Sequence, residues 1–203
     1  MNRRDKGFTL IEMLVSVTIG VILVGMAAPG FQQLILRNRV GANANELLYA
    51  FGRARAEALK LSSNTVVCHT DSPDVATPQC SGTDWKKGWL AFEDCNVNNQ
   101  YDGASNVCSC YSATTNVTTA NCRAETLLLV HGGLSKSDDA SDVYQITSDT
   151  NVASRVVFRS QGVVQGTIGK LVLKNSKLPT GEERTICIAI TGRARVVKGS
   201  TCT

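Results

Sequence analysis

The sequence predicts an α+β fold in which a long N-terminal helix, membrane-spanning in its first half, packs on an antiparallel β-sheet stabilised by disulfides. Three observations lead there. A 21-residue apolar run from Phe8 to Ala28 leads into a pattern of apolar residues at spacings of three and four that ends at Leu61. The β-rich runs "TVVCH", "GWLAFED", "TLLLVHG", "RVVFRSQG", "GKLVLKN" and "RTICIAITGRARVV" follow between polar loops. Eight cysteines lie beyond residue 61. The chain divides accordingly into a short basic segment (1–7), a transmembrane helix (8–28), an amphipathic helix (29–61) and a β-sheet domain (62–203).

The apolar run is long enough to cross a bilayer as a helix. Glu12 is its only charge, and Thr9, Ser16 and Thr18 are its other polar side chains. Arg3, Arg4 and Lys6 precede it, which by the positive-inside tendency keeps the N-terminus cytoplasmic and sends the remainder outward. A cleaved secretory signal would end in a small-residue site behind a shorter apolar region. Here Ala28 runs directly into Pro29, Gly30 and the amphipathic pattern, so the segment is expected to be retained. A carboxylate at the centre of a membrane helix costs on the order of 2.5 to 3.5 kcal/mol on insertion scales, and Glu12 needs an offsetting partner.

After Pro29 and Gly30, Phe31, Leu34, Ile35, Val40, Ala44, Leu47, Leu48, Phe51, Ala54, Ala58 and Leu61 trace one helical face. A helix from Phe8 to Leu61 would be about 80 Å long, so its second half must pack on something. The runs rich in Val, Ile, Thr and aromatic residues, punctuated by Gly and Asn, supply that partner as antiparallel strands. One apolar helix face on such a sheet is an α+β arrangement. Two polar, weakly periodic stretches, "DCNVNNQYDGASNVCSCYSATTNVTTANC" and "SKSDDASDVYQITSDTN", are expected to be surface loops, the first held by cysteines.

The even number of cysteines (Cys68, Cys80, Cys95, Cys108, Cys110, Cys122, Cys187 and Cys202) points to disulfides in an oxidising compartment. Local spacing favours Cys68 with Cys80 around a Pro-containing loop and Cys187 with Cys202 at the C-terminal tail. The pairing inside 95–122 is open. A zinc site is disfavoured, because no CxxC is present, Cys108 and Cys110 are too close for the usual chelate, and His69 and His131 stand apart.

The net charge of +4 conceals an asymmetry: residues 62–154 carry four basic and eleven acidic side chains, whereas 155–198 carry nine basic and two acidic. The C-terminal quarter is a basic region. Within it "TGRARVVKG" places Arg193 and Arg195 at alternate positions of a strand-like stretch, hence on one face, with Lys198 nearby. Two guanidiniums held rigidly suit phosphate oxygens through planar bidentate donation. The same pattern also serves as a charged edge strand that discourages aggregation. Lys170, Lys174, Lys177 and Arg184 widen the patch, and Glu182 and Glu183 dilute it.

"KGFTLIE" fused to a hydrophobic helix resembles the processing site of the type IV pilin and type II secretion pseudopilin superfamily. The resemblance implies that 1–7 is a prepilin leader, that prepilin peptidase cuts between Gly7 and Phe8, and that Phe8 is then N-methylated. It also implies that Glu12 pairs with the N-terminal ammonium of a neighbouring subunit, and that Pro29 sits where such helices bend or loosen. "VVCHT", "WKKGWLAFEDCNVN" and "ITGRARVV" are similar to the FimT, FimU and GspH branch of minor pilins and pseudopilins. A pilin-like fold follows from this likeness. So does a non-enzymatic, single-pass inner-membrane protein whose C-terminal domain is periplasmic, joining other major and minor pilins in a pilus or pseudopilus. Gly192, Arg193 and Arg195 match the C-terminal GRxR motif associated with double-stranded DNA binding in natural transformation, with Lys198 beside it. The alternative is a minor pseudopilin H of a type II secretion system with a purely structural role.

Other motifs are weaker. "DCNVNNQYDGAS" sets Asp94, Asn96, Asn98 and Asp102 at alternate positions, but the sixth place is Asn99 instead of Gly and the twelfth Ser105 instead of Glu, which fails the EF-hand test. Neither histidine has an evident nucleophile, and no paired-carboxylate motif stands out, so no catalytic residue, metal or cofactor is expected. Asn116-Val117-Thr118 fits a glycosylation pattern that is frequent by chance.

Overall fold

Thr9 starts the helix. Its backbone is extended (φ −82°, ψ 153°) and its hydroxyl accepts a hydrogen bond from the Glu12 N–H at 3.3 Å, which satisfies one of the first turn's orphan donors. Glu12 is the third helical residue, where a carboxylate also meets the positive end of the helix dipole. In the computed structural model, which describes residues 8–103, 105–112, 117–134 and 144–202, one helix (α1, Leu10–Leu61) follows for 52 residues, about 78 Å. The backbone stays helical through Pro29 and Gly30, so the two expected segments are one element. It ends at Ser62, which enters the left-handed region (φ 51°, ψ 33°).

The two halves of α1 have different surroundings. From Leu10 to Met26 every residue is exposed. In the second half Val40, Ala44, Leu47, Ala50, Phe51, Ala54 and Ala58 are buried. Four alanines on that stripe let the helix axis lie close to the strands beneath it. Glu57, also buried, is held by Arg53 and Lys60, each at 3.2 Å.

The strands form two four-stranded antiparallel sheets and a hairpin, where the sequence pattern suggested one sheet. In the first sheet the order is β5 (Leu127–Gly132), β2 (Gly88–Asp94), β1 (Asn64–His69) and β7 (Arg155–Phe158). In the second it is β10 (Ala194–Lys198), β9 (Arg184–Ile188), β8 (Gly169–Asn175) and β6 (Tyr144–Ser148). A bridge between Phe158 and Val164, and the Val164 N–H donated to the Ile190 carbonyl at 2.9 Å, join the two sheets beneath α1. The division is set by which strands find each other in register, and local propensity does not encode that.

The main core lies between α1 and both sheets, around Leu47, Phe51, Trp85, Trp89, Phe158, Leu171, Ile186 and Ile188. Trp85 packs edge-on to Phe51 at 6.1 Å, and its indole N–H donates to the carbonyls of Val152 and Ala153, both at 3.2 Å. A smaller cluster of Val66, Cys68, Leu90, Phe92 and Val157 covers the other face of the first sheet, closed over by Cys80, Tyr101 and Leu127. Burial on both faces explains why β1 and β2 read as nearly continuous apolar runs, while β8 alternates.

Both stretches expected to be loops contain strands. β3 (Asn106–Ser112) pairs with β4 (Val117–Ala124), and β6 lies inside the second stretch. Their Ser, Thr and Asn content obscured a β pattern that pairing satisfies. Cys68–Cys80, Cys95–Cys108 and Cys187–Cys202 are bonded. Gly7, Asn116 and the side chains of Cys110 and Cys122 lie outside the described residues.

Candidate functional site

Two regions merit examination. The first is the N-terminal half of α1. Phe8 is 82% exposed, and Glu12 projects from the first turn with no other part of the chain over it among the described residues. The helix is long and apolar enough here to cross a membrane, and none of its apolar stretch is buried among the described residues. A helix apolar on all sides with nothing covering it requires an apolar environment from a bilayer or from other helices.

The second region is built on the turn between β9 and β10. The Gly192 N–H donates to the Ala189 carbonyl and the Ala189 N–H to the Arg193 carbonyl, both at 2.9 Å, closing a tight loop. Gly192 is in the left-handed region (φ 78°), and a Cβ there would sit 1.9 Å from the Gly162 carbonyl oxygen. Arg55 of α1 locks the same place, donating from Nε to the Gly162 carbonyl at 2.9 Å and from NH2 to the Thr191 carbonyl at 3.1 Å. Gly192 is therefore needed for packing, whatever its neighbours do.

Arg193 and Arg195 are exposed, while the intervening Ala194 and then Val196 turn toward the core. The expected common face of the two arginines is present. They flank a groove of about 660 Å³ lined also by Ile168, Gly169, Lys170, Ile188, Ala189 and Cys202. Asp149 is the one carboxylate among the described lining residues. It is occupied by backbone: one oxygen accepts from the N–H groups of Asn151 and Val152 at 3.1 and 3.3 Å, and the other from the Lys170 N–H at 2.9 Å. The groove thus brings three basic side chains and one backbone-bonded carboxylate together with apolar residues.

Lys198 is not brought into this pair. It lies at the far end of β10, about 10 Å along the strand from Arg195, and its ammonium is 2.9 Å from Glu182. Glu182 also meets Arg37 of α1 at 3.5 Å. The hydrogen bond from Lys198 is the main reason that its carboxyl titrates below the usual range.

The alternate-position loop is self-satisfied. Asp94 accepts from the N–H groups of Asn98 and Asn99 at 3.0 and 3.1 Å, and the amides of Asn96 and Asn98 both donate to Asp102, at 2.7 and 2.9 Å. Glu125, which the sequence reading missed, accepts from the Cys95 and Asp102 N–H groups at 3.2 and 3.1 Å. Burial, reinforced by the charges of Asp94 and Asp102, raises its carboxyl to about 7. Cys95 and Cys108 lie beside Glu125 but are bonded to each other and offer no thiolate. A second unforeseen pair joins β4 to β2: Arg123 donates to both oxygens of the fully buried Glu93 at 2.7 Å. Burial opposes ionisation of Glu93, but the Arg123 hydrogen bonds and charge, with Ser63 and Thr126, bring its carboxyl below the usual value.

His69 and His131 serve packing. His69 meets the Ser81 carbonyl through Nδ1 and stands edge-on to Trp85, and burial lowers its proton affinity. His131 stacks on Trp89 at 3.9 Å and reaches Glu46 of α1 at 2.9 Å.

Comparison with known proteins gives a consistent result. Residues 43–192 match the family model described as type II transport protein GspH, and residues 2–28 match the prokaryotic N-terminal methylation motif. The crystal structure of the type IV minor pilin FimU of Pseudomonas aeruginosa (strain PAO1) superposes with a TM-score of 0.50 at 16% identity, over 82% of this chain and 97% of that one. A second crystal form of FimU gives 0.48 at 15%, over 80% and 99%. No curated protein matches the sequence. At 16% identity the first of these likenesses shows a shared fold.

Proposed function

We propose, from the premise that this chain belongs to the family of the type II transport protein GspH, that it is a minor pilin: a non-enzymatic subunit of a type IV pilus. Prepilin peptidase would remove residues 1–7, acting between Gly7 and Phe8, and Phe8 would be N-methylated. The chain would cross the inner membrane once, hold its β-sheet domain in the periplasm, and enter a filament with other major and minor pilins. The observation that carries this reading is the contrast along α1. One face of its second half is the central element of a packed core, whereas its first half is apolar on all sides and uncovered from Leu10 to Met26. Lateral association of such helices buries that surface, and Glu12 supplies register by pairing with a neighbour's terminal ammonium. Losing one partner of a buried ion pair costs about 3 to 5 kcal/mol. Replacing Glu12 with Gln should therefore reduce incorporation into filaments while the periplasmic domain stays folded; normal incorporation would refute the pairing.

The finer reading is that Arg193 and Arg195 contact double-stranded DNA, as in natural transformation. Support comes from their shared exposed face and from the three basic side chains against one carboxylate in the groove that they flank. A few phosphate contacts imply dissociation constants of about 10⁻⁴ to 10⁻⁶ M with steep salt dependence, so useful capture needs several binders on one filament. The alternative is a minor pseudopilin H with a structural role alone, in which Gly192 serves packing and Lys198 its pair with Glu182. Titration of the full chain in nonionic detergent with a labelled duplex separates the two. DNA contact requires low-salt binding that Arg193→Ala/Arg195→Ala abolishes, and no binding at tens of micromolar protein leaves the structural role.

A further inference from the structure

Beyond β10 the backbone folds back over the face of the second sheet that looks away from α1. The Gly199 N–H donates to the Glu183 carbonyl at 2.9 Å, the Thr185 hydroxyl to the Gly199 carbonyl at 2.5 Å, and the Lys170 ammonium to the Ser200 carbonyl at 3.5 Å. Cys202 is then bonded to Cys187. Strand register puts these anchors on one face. Lys170, Cys187 and Arg195 lie opposite one another across β8, β9 and β10, and Val172, Thr185 and Val197 form the next row. Residues directly opposite on antiparallel strands project to the same side. Lys174, two residues beyond Val172 on β8, shares that side.

Residues 199–202 are thus a strap laid across a face with four cations. It separates two depressions. One, of about 660 Å³, holds Arg193 and Arg195, with Cys202 in its wall. The other, of about 370 Å³, holds Lys174, with Ser200 and Thr201 in its wall, and Lys170 borders both. Two acids are nearby. Asp149 is tied to backbone, and Glu183 accepts from the Gly181 N–H at 2.7 Å.

We infer that this strap, fastened by Cys187–Cys202, divides a polyanion site, and that its release by thiol–disulfide exchange, in which a dithiol reductant is oxidised to its disulfide as Cys187 and Cys202 become thiols, joins Arg193 and Arg195 to Lys170 and Lys174 in one cationic trough for a nucleic-acid backbone. The inference rests on the proposed reading of the two arginines as phosphate contacts. Two strand spacings separate Arg195 from Lys170, about 10 Å, and about 13 Å along β8 separates Lys170 from Lys174. Phosphates advance about 3.4 Å of axis per strand, so a trough of that size spans several of them.

The test is fluorescence anisotropy of the full chain in nonionic detergent with a labelled duplex, at a series of salt concentrations. Relative to the unaltered protein, Cys187→Ser/Cys202→Ser should bind several-fold more tightly. The slope of log K against log salt should steepen by about 1 to 2, at about 0.9 for each phosphate gained. Adding Lys174→Ala, which leaves the arginine groove and Lys170 intact, should return both values toward those of the fastened protein. If the double serine variant does not fold, a Cys187→Val chain lacking residues 200–203 makes the same comparison. Arginine-dependent binding with the same affinity and slope in fastened and released forms would overturn the strap and leave the arginine site standing. Absence of binding in every form would overturn both.

Discussion

Replacing Gly192 with Ala tests why the glycine of the Gly-Arg motif is there. Its φ of 78° is a conformation that side-chain-bearing residues adopt at a cost of about 1 to 2 kcal/mol. The added Cβ would also lie 1.9 Å from the Gly162 carbonyl and 2.8 Å from the Arg55 Nε, so the loop must move and the Arg55 clamp must loosen. Overpacking of this kind costs about 1 to 3 kcal/mol. The sum, about 2 to 5 kcal/mol, corresponds to a fall in Tm of about 5 to 15 °C for a domain of this size. Gly199 provides the control: its φ is 96°, but nothing lies within 4 Å of a Cβ built there, so Gly199→Ala carries conformational strain alone. Thermal unfolding followed by circular dichroism, with the disulfides intact, gives both values. Equal and small shifts for the two variants would refute the packing argument and return Gly192 to a role in ligand contact.

Three further outcomes follow from buried charge. Arg123→Ala leaves Glu93 buried without its bidentate partner and should cost about 3 kcal/mol at neutral pH, toward the low end of the usual range because Arg123 is partly solvated. Since Glu93 titrates below its unfolded value of 4.5, the pair's contribution is present above that pH and is lost as pH falls through the depressed native value. The difference between wild type and Arg123→Ala in urea unfolding should accordingly shrink in acid. Glu125 has the opposite sign: raised from 4.5 to about 7, it keeps its proton in the native state where an unfolded chain has lost it, so its contribution to stability declines as pH rises between those values, by about 3 kcal/mol at most. Glu125→Gln should flatten that part of the stability–pH curve, and an unchanged slope would show that the carboxyl is not held in this way.

Much of the architecture was legible. The three-and-four spacing from Val40 to Ala58 marked the buried stripe of α1, and Cys68–Cys80 and Cys187–Cys202 are pairs of neighbours in sequence. What escaped depends on distant partners. Arg55 carries no signal in the sequence, yet it meets carbonyls 107 and 136 residues away. Glu93 and Arg123 carried no signal beyond a charged residue ending a strand run. Sequence proximity sets Lys198 beside the two arginines, but its ammonium pairs with Glu182 at 2.9 Å. The hairpin of β3 and β4 was hidden because pairing, more than apolar alternation, defines it. Glu12 was legible as an anomaly, and the Thr9 cap adds a local reason for an acid in the first turn.

The working protein is proposed to start at Phe8, two residues before the uncovered half of α1. Intact-mass and N-terminal peptide analysis of the protein purified from its native membrane tests it directly. The account predicts a chain starting at Phe8 with one methyl group on its amine. A chain that starts at Met1, or that retains an uncut Gly7–Phe8 bond, would contradict it.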